Sequence, residues 1–269
     1  MFIYCGDGAM KHLMILLLLL IAFLPILSAD GTEPHAWEYL KSYPQSVGSG
    51  ITAPYHWEAK EWITTSSIIA LMGAAYVVDE EIRTLFQSNR SEFSNSVMIA
   101  AKQFGEGKYV LPAIGITVLS GYAFDSPKTI DSGFLSLKSF IIANGITQVV
   151  KLTTQRKRPS ANSGKQFFNG SGFSRKRDSF PSGHTTIVWS IAPILVNQYR
   201  ENLWVAPSVY TIATLTSLSR VHDDNHWFSD VLAGAAIGYF SAKLVLKTTP
   251  TLHIYPNSQI NGFSLSWCF

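Results

Sequence analysis

Turn residues divide this chain into a succession of apolar segments of helical length, and that division limits the available folds more than any other feature. Helical composition runs through 62–78, 94–104, 109–124, 133–158, 184–199, 203–218 and 227–247, with a polar amphipathic stretch at 80–87. Gly105-Glu106-Gly107 separates two of these segments and Asp125-Ser126-Pro127 turns the chain between two more. Pro159 pushes the residue before it out of the helical region, so the segment beginning at 133 stops at Arg158. Charged residues are 14% of the chain and hydrophobic ones 47%. Global disorder is thereby excluded, and the composition fits an interior-rich helical bundle or a membrane-associated protein. An all-α bundle over 61–248 is the expectation.

The flanks read differently. Lys11 and His12 precede an apolar run, 13–27, that closes on Leu27-Ser28-Ala29, the pattern of a secretory signal peptide over 1–29 cleaved after Ala29. Cys268 is then alone in the mature chain, which leaves no internal disulfide and no cysteine metal site. Residues 30–60, rich in Pro, Gly, Ser and aromatics without periodicity, read as an irregular N-terminal arm. In the tail, 249–269, Phe263, Leu265, Trp267 and Phe269 alternate with small or polar residues after Pro256-Asn257-Ser258, which predicts a small C-terminal β-hairpin.

The residues with chemistry cluster in the second half. Ser179-Phe180-Pro181-Ser182-Gly183-His184 is a tight turn that empties into an apolar run, and so belongs at a helix N-terminus. Unpaired N–H groups and the helix dipole favour an anion there, Ser182 adds a hydroxyl donor, and His184 is placed to give a proton to a leaving group. Lys151 and Arg158, seven apart on the predicted 133–158 helix, leave from one face and can converge on one anion. Ser219-Arg220 ends one helix. His226 and Asp230, four apart at the start of the next, form a pair in which the carboxylate fixes the tautomer and frees the other ring nitrogen. His222, Asp223 and Asp224 imitate metal ligands, but adjacent side chains diverge, and no metal site is expected. Lys165, Arg175, Lys176 and Arg177 make the 160–180 loop basic, yet a net charge of +3 is too small to argue for nucleic acid.

Taken together, Lys151-x6-Arg158-Pro159, Pro181-Ser182-Gly183-His184 and Ser219-Arg220-x5-His226-x3-Asp230 resemble the three-part signature of the type 2 phosphatidic acid phosphatase and vanadium haloperoxidase superfamily. The resemblance covers about 151–238 and fills every motif position. It implies a compact helical bundle of the acid phosphatase/haloperoxidase type and a metal-independent phosphatase acting on phosphomonoesters or pyrophosphates. Lys151, Arg158, Ser182, Gly183 and Arg220 would hold the phosphoryl oxygens. His226 would be the nucleophile that becomes a phosphohistidine, Asp230 its orienting partner and His184 the acid. No cofactor is required; vanadate would enter only if the same pocket served a haloperoxidase, the alternative reading. The expected partner is a phosphorylated small molecule or a lipid phosphate, with contact to a membrane surface and no nucleic acid. If 62–78, 109–124 and 133–150 were spans following a translocated N-terminus, the first basic motif would fall in the cytoplasm, where family sites are not usually found. A soluble or peripherally attached periplasmic protein is therefore expected, with an integral inner-membrane protein as the alternative.

Overall fold

The computed structural model describes residues 35–172, 178–249, 251–257 and 262–268. The expected signal peptide and the basic triplet Arg175, Lys176 and Arg177 lie outside them. Nine α-helices run in chain order among the described residues: α1 (His35–Thr52), α2 (Ala59–Val77), α3 (Asp79–Ser88), α4 (Glu92–Gln103), α5 (Gly107–Ala123), α6 (Pro127–Thr154), α7 (Gly183–Gln198), α8 (Val205–His222) and α9 (Phe228–Thr248). The all-α architecture expected from the apolar segments is what forms. The tail adds an antiparallel hairpin, β1 (Thr251–Asn257) with β2 (Gly262–Cys268), in a register that sets Thr251 opposite Cys268 and Ile254 opposite Leu265.

Two expectations are corrected. The arm is not irregular, since α1 takes up 35–52 and carries Pro44 inside it. It is docked: Ser46 Oγ lies 2.5 Å from Thr248 Oγ1 of α9, and the buried Lys138 ammonium of α6 donates to Ser42 Oγ and to Thr249 Oγ1, each at 2.7 Å. The second correction concerns α6, which stops at Thr154 and not at Arg158, because Gln155 takes the left-handed conformation at φ 46°.

α7 is the centre of the bundle. It contributes to three apolar clusters: Ile187 packs with Val110, Leu111, Ile114 and Leu137; Ile194 with Leu135, Ile142, Ala242 and Val245; Val188 and Ala192 with Ala213. A helix so covered on several faces must be apolar nearly all round, as its sequence is. Buried hydroxyls settle its neighbours, with Ser139 donating to the Ser190 carbonyl at 2.6 Å and Thr147 to Thr186 Oγ1 at 3.1 Å. α9 approaches α7 closely at two glycines: a Cβ on Gly234 would lie 2.5 Å from the Ser182 carbonyl oxygen, and one on Gly238 would lie 2.5 Å from the Thr186 carbonyl oxygen.

Two described helices, α6 and α9, are long and apolar enough to cross a membrane, and half of each qualifying window is buried inside the protein. The bent pair α2–α3, turning by 59° at Val78, passes the same test when its two parts are taken together. Outside the bundle, Ile63, Ile69, Leu71, Ile116, Ile146 and Val149 are all exposed. Apolar surface on that scale is uncommon on a water-soluble monomer.

Gly234→Ala separates packing from propensity. In an open helical position the change would add about 1 kcal/mol, whereas forcing a methyl between α9 and the Ser182 carbonyl should remove about 1–3 kcal/mol. A lowered thermal unfolding temperature is expected; an increase would show that the contact is slack.

Candidate active site

The chemistry-bearing residues meet at one end of the bundle because successive helices alternate in direction. α6 and α8 run towards this end and finish there with Lys151 and Arg220, while α5, α7 and α9 start from it. His184 lies in the first turn of α7, and His226 lies two residues ahead of α9.

Lys151 and Arg158 reach the site by different routes, contrary to the shared helix face expected for them. Lys151, buried in the last turn of α6, donates to the backbone carbonyl of Asp178. Arg158 lies beyond the helix as the extended residue ahead of a short 3-10 turn, Pro159–Ala161. Its Nε donates to Asp178 Oδ1 at 2.9 Å and its Nη1 to Asn225 Oδ1 at 3.0 Å. Between these two cations the chain dips into the core to bury Arg156, a residue that the motif spacing passed over.

Arg156 is held by two carboxylates from opposite ends of the sequence. Its Nη2 meets Asp79 Oδ2 at 2.8 Å and its Nη1 meets Asp230 Oδ1 at 2.5 Å, with all three side chains at most 1% exposed. The guanidinium also faces the rings of Tyr76, Phe168 and Trp227, with centroids 5.0–5.4 Å away. Asp79 further accepts the Ser229 N–H at 2.8 Å, tying the start of α3 to the start of α9.

This arrangement changes the part given to Asp230. Its Oδ2 is 3.8 Å from His226 Nδ1, too far for a hydrogen bond, and it accepts instead from Ser179 Oγ at 2.5 Å and from the Trp227 N–H at 2.9 Å. The imidazole is oriented by a backbone carbonyl: His226 Nδ1 lies 2.6 Å from the Ser179 oxygen. A carbonyl only accepts, so Nδ1 carries the hydrogen and Nε2 keeps its lone pair. The carboxylate thus acts on the histidine through Ser179, which it grips by the hydroxyl. Burial, reinforced by the nearby charges of Lys151 and Arg158 against the pull of Asp230, lowers the His226 pKa to about 4, so the ring is neutral around pH 7.

The turn before α7 lies at a helix N-terminus, as its sequence predicts. Ser182 is the fully buried residue ahead of the helix, no side-chain cap hydrogen bond is made there, and its Oγ accepts from Thr185 Oγ1 at 3.0 Å, which leaves its own hydrogen to donate. Gly183 opens the helix beside Lys151, whose Cε would be 4.0 Å from a Cβ at that position. His184 Nε2 lies 3.1 Å from Glu106 Oε1, a contact that becomes an ion pair only when the ring is protonated and that is not aligned as a hydrogen bond. Burial first, and then Arg220, lower the His184 pKa to about 4, with Glu106 opposing both.

Arg220 completes the cluster. Its Nη1 donates to Asp223 Oδ2 at 3.3 Å, but its Nε is buried without a hydrogen-bond partner. A guanidinium N–H in that state needs an acceptor supplied from outside. The Asp223 and Asp224 carboxylates serve cations, Asp223 also meeting Lys102 at 3.3 Å and Asp224 meeting Arg83 at 2.6 Å. All eight residues expected at the site are at this end of the bundle, and Arg156, Asp79 and Glu106 join them.

Comparisons with known proteins cover the same stretch of the chain. Residues 133–254 match the PAP2 superfamily. The chain is 38% identical over 68 residues to the lipid A 1-phosphatase of Porphyromonas gingivalis, an overlap of 25% of this chain and 15% of that relative. It is 27% identical over 175 residues to phosphatidylglycerophosphatase B of Bacillus subtilis, covering 61% of this chain and 80% of the relative. The crystal structure of a transmembrane PAP2-type phosphatidylglycerolphosphate phosphatase from Bacillus subtilis superposes with a TM-score of 0.53 at 26% identity, over 68% of this chain and 94% of that one.

Arg156→Leu leaves two buried carboxylates without their cation, so a loss of about 3–5 kcal/mol is expected on thermal or denaturant unfolding. The double change Arg156→Leu with Asp79→Asn should recover part of that loss; no recovery would show that the two residues are not coupled.

Proposed function

The chain belongs to the PAP2 superfamily through its 133–254 domain, and on that premise we propose that it is a phosphatase acting on lipid phosphates through a phosphohistidine. The observation that carries the reading is the buried, unpartnered Nε of Arg220 beside Lys151, Arg158 and the uncapped start of α7. Three cations and a helix N-terminus with an unmet donor suit a tetrahedral oxyanion. The relatives named above act, by their names, on lipid A and on phosphatidylglycerophosphate.

In the proposed reaction Lys151, Arg158, Arg220, Ser182 Oγ and the Gly183 N–H hold the phosphoryl oxygens, and His226 Nε2 attacks phosphorus in line. The N–P bond forms as the P–O bond to the leaving group breaks, and His184 gives its proton to the departing oxygen. Asp230, through Ser179, keeps Nδ1–H aimed at its carbonyl and balances the positive charge that develops on the ring. Water then attacks the phosphohistidine, with His184 taking its proton, and phosphate leaves.

The protein is proposed to be integral to the membrane, with α6 and α9 crossing it and the exposed apolar side chains of α2, α5 and α6 facing lipid. Since α6 ends and α7 begins at the site, and α8 ends where α9 begins, all three motifs stay on one face of the bilayer. Spanning and a shared site are thus compatible. Alkaline carbonate should leave the protein in the membrane pellet; release into the supernatant would overturn the spanning reading.

Phosphate release from phosphatidic acid, a polyprenyl pyrophosphate and an aryl phosphate, in the presence of EDTA, tests the chemistry. His226→Ala should lose on the order of 10⁴-fold or more in kcat, and His184→Ala about 10²–10⁴-fold. Absence of release from every substrate, together with bromide oxidation when vanadate and peroxide are supplied, would replace the phosphatase with a haloperoxidase.

The pH profile follows from the two lowered histidines. As pH falls through about 4, His226 gains a proton and loses its nucleophilic lone pair, which sets the acid limb. At higher pH the free enzyme holds His184 neutral, so its proton must arrive with a substrate whose phosphate loses its second proton near about 6. A bell-shaped kcat/KM is expected, falling above about that value, and a profile flat from acid to alkaline pH would overturn the assignment.

A further inference from the structure

His184 has a carboxylate neighbour that the three motifs do not contain. Glu106 stands in the bend between α4 and α5. Its backbone is fixed on both sides, with the Glu106 N–H bonded to the Gln103 carbonyl at 3.1 Å and the Glu106 carbonyl accepting from Val110 at 3.0 Å. The bend is pressed against the first turn of α7. A Cβ on Gly105 would come within 2.8 Å of His184 Cβ and 2.9 Å of Thr216 Cγ2, so glycine is required for this approach. Thr216 in turn donates to the Ala101 carbonyl at 2.8 Å, which locks α4 to α8 beside the same contact.

The charges around His184 make this neighbour consequential. From α8 it faces Arg220, and from the segment after α6 it feels Arg158; both disfavour an imidazolium. Asp223 is shared between Arg220 and Lys102 of α4, and Lys108 of α5 acts on Glu106 itself. Among the described residues, Glu106 is the carboxylate that reaches the His184 ring, 3.1 Å from Nε2. An acid placed between two arginines needs such a counter-charge to hold its proton.

We propose that Glu106 is a positioning residue for the leaving-group acid, its carboxylate holding Nε2–H of His184 so that Nδ1 carries the proton to the departing oxygen. The proposal rests on the phosphohistidine reading above. The contact is short but not aligned as a hydrogen bond, a geometry that catalytic hydrogen bonds commonly improve on when substrate binds. The proton moves from Nδ1 to the alkoxide while Glu106 stays ionised throughout. The consequence is a dependence on the leaving group. Alkoxides from lipid phosphates require protonation as the P–O bond breaks, whereas a nitrophenolate departs without it.

The test compares Glu106→Gln, Glu106→Asp and His184→Ala in the full-length, detergent-solubilised protein, on phosphatidic acid and on p-nitrophenyl phosphate. Glu106→Gln should lower kcat on phosphatidic acid by about 10²-fold and on the aryl ester by less than about 3-fold, the asymmetry also shown by His184→Ala. Removing the carboxylate lowers the affinity of His184 for its proton, so the alkaline limb of kcat on phosphatidic acid, which reports the acid in the enzyme–substrate complex and not the free substrate, should move to lower pH. Glu106→Asp, which keeps the charge, should fall between wild type and Glu106→Gln and does not depend on the amide variant being stable. Equal losses on both substrates in Glu106→Gln with an unmoved limb, while His184→Ala stays asymmetric, would overturn the role of Glu106 alone. So would an aspartate variant no better than the amide. Turnover retained by His226→Ala would overturn this proposal and the phosphohistidine together.

Discussion

The pairing of one buried guanidinium with two buried carboxylates is the interaction on which the rest of this structure depends. Arg156 lies between Asp79 and Asp230, and the three residues come from the start of α3, the loop after α6 and the first turn of α9. Ion pairs so deep in a protein pay heavily in lost hydration, and apolar replacements of similar volume are often as stable. Their value lies in fixing which segments meet. Here the charges can be neutralised only if three separated stretches arrive together, and the aromatic faces of Tyr76, Phe168 and Trp227 complete the enclosure. The left-handed turn at Gln155 follows from the same demand, since a continued helix would carry Arg156 past both partners.

The geometry of the candidate nucleophile descends from that pairing. Asp230 is committed to Arg156, to Ser179 and to the Trp227 N–H, so it cannot also grasp His226, and the ring is aimed by the Ser179 carbonyl. Each link is short, and the chain of contacts leads from a structural ion pair to a ring nitrogen with its lone pair free. The cations proposed to hold the anion differ in kind: Lys151 is buried in a helix, whereas Arg158 is partly exposed and paired with Asp178. Arg158 thus already has an anion, the Asp178 carboxylate, as its partner.

Local patterns made much of this legible in the sequence. The turn into α7, the apolar runs and the order of the motifs depend on neighbours within a few residues, and Ser182, Gly183, His184, Arg220 and His226 all lie at the site as their spacing predicts. What failed did so for physical reasons. Nothing near Gln155 announces a helix stop, because the residue that adopts the left-handed conformation is not glycine. Arg156 reads as one more member of a basic run, and its partner Asp79 is 77 residues away, beyond the reach of any periodicity. Glu106 passed for a helix break because a carboxylate between two glycines gives no hint of the histidine it faces. The helix α1 escaped because Pro44 and its glycines suggest a loop, and docking onto α6 and α9 outweighs those preferences.

The alternation of helix direction divides the molecule into two ends with unequal duties. At one end the termini of α5 to α9 converge with the start of α3, and a shift of any by an ångström moves the candidate site residues. At the other, the chain simply reverses, through Asp125-Ser126 and through the residues between α7 and α8. Length and polarity at that far end are therefore free to change without moving the residues that meet at the other.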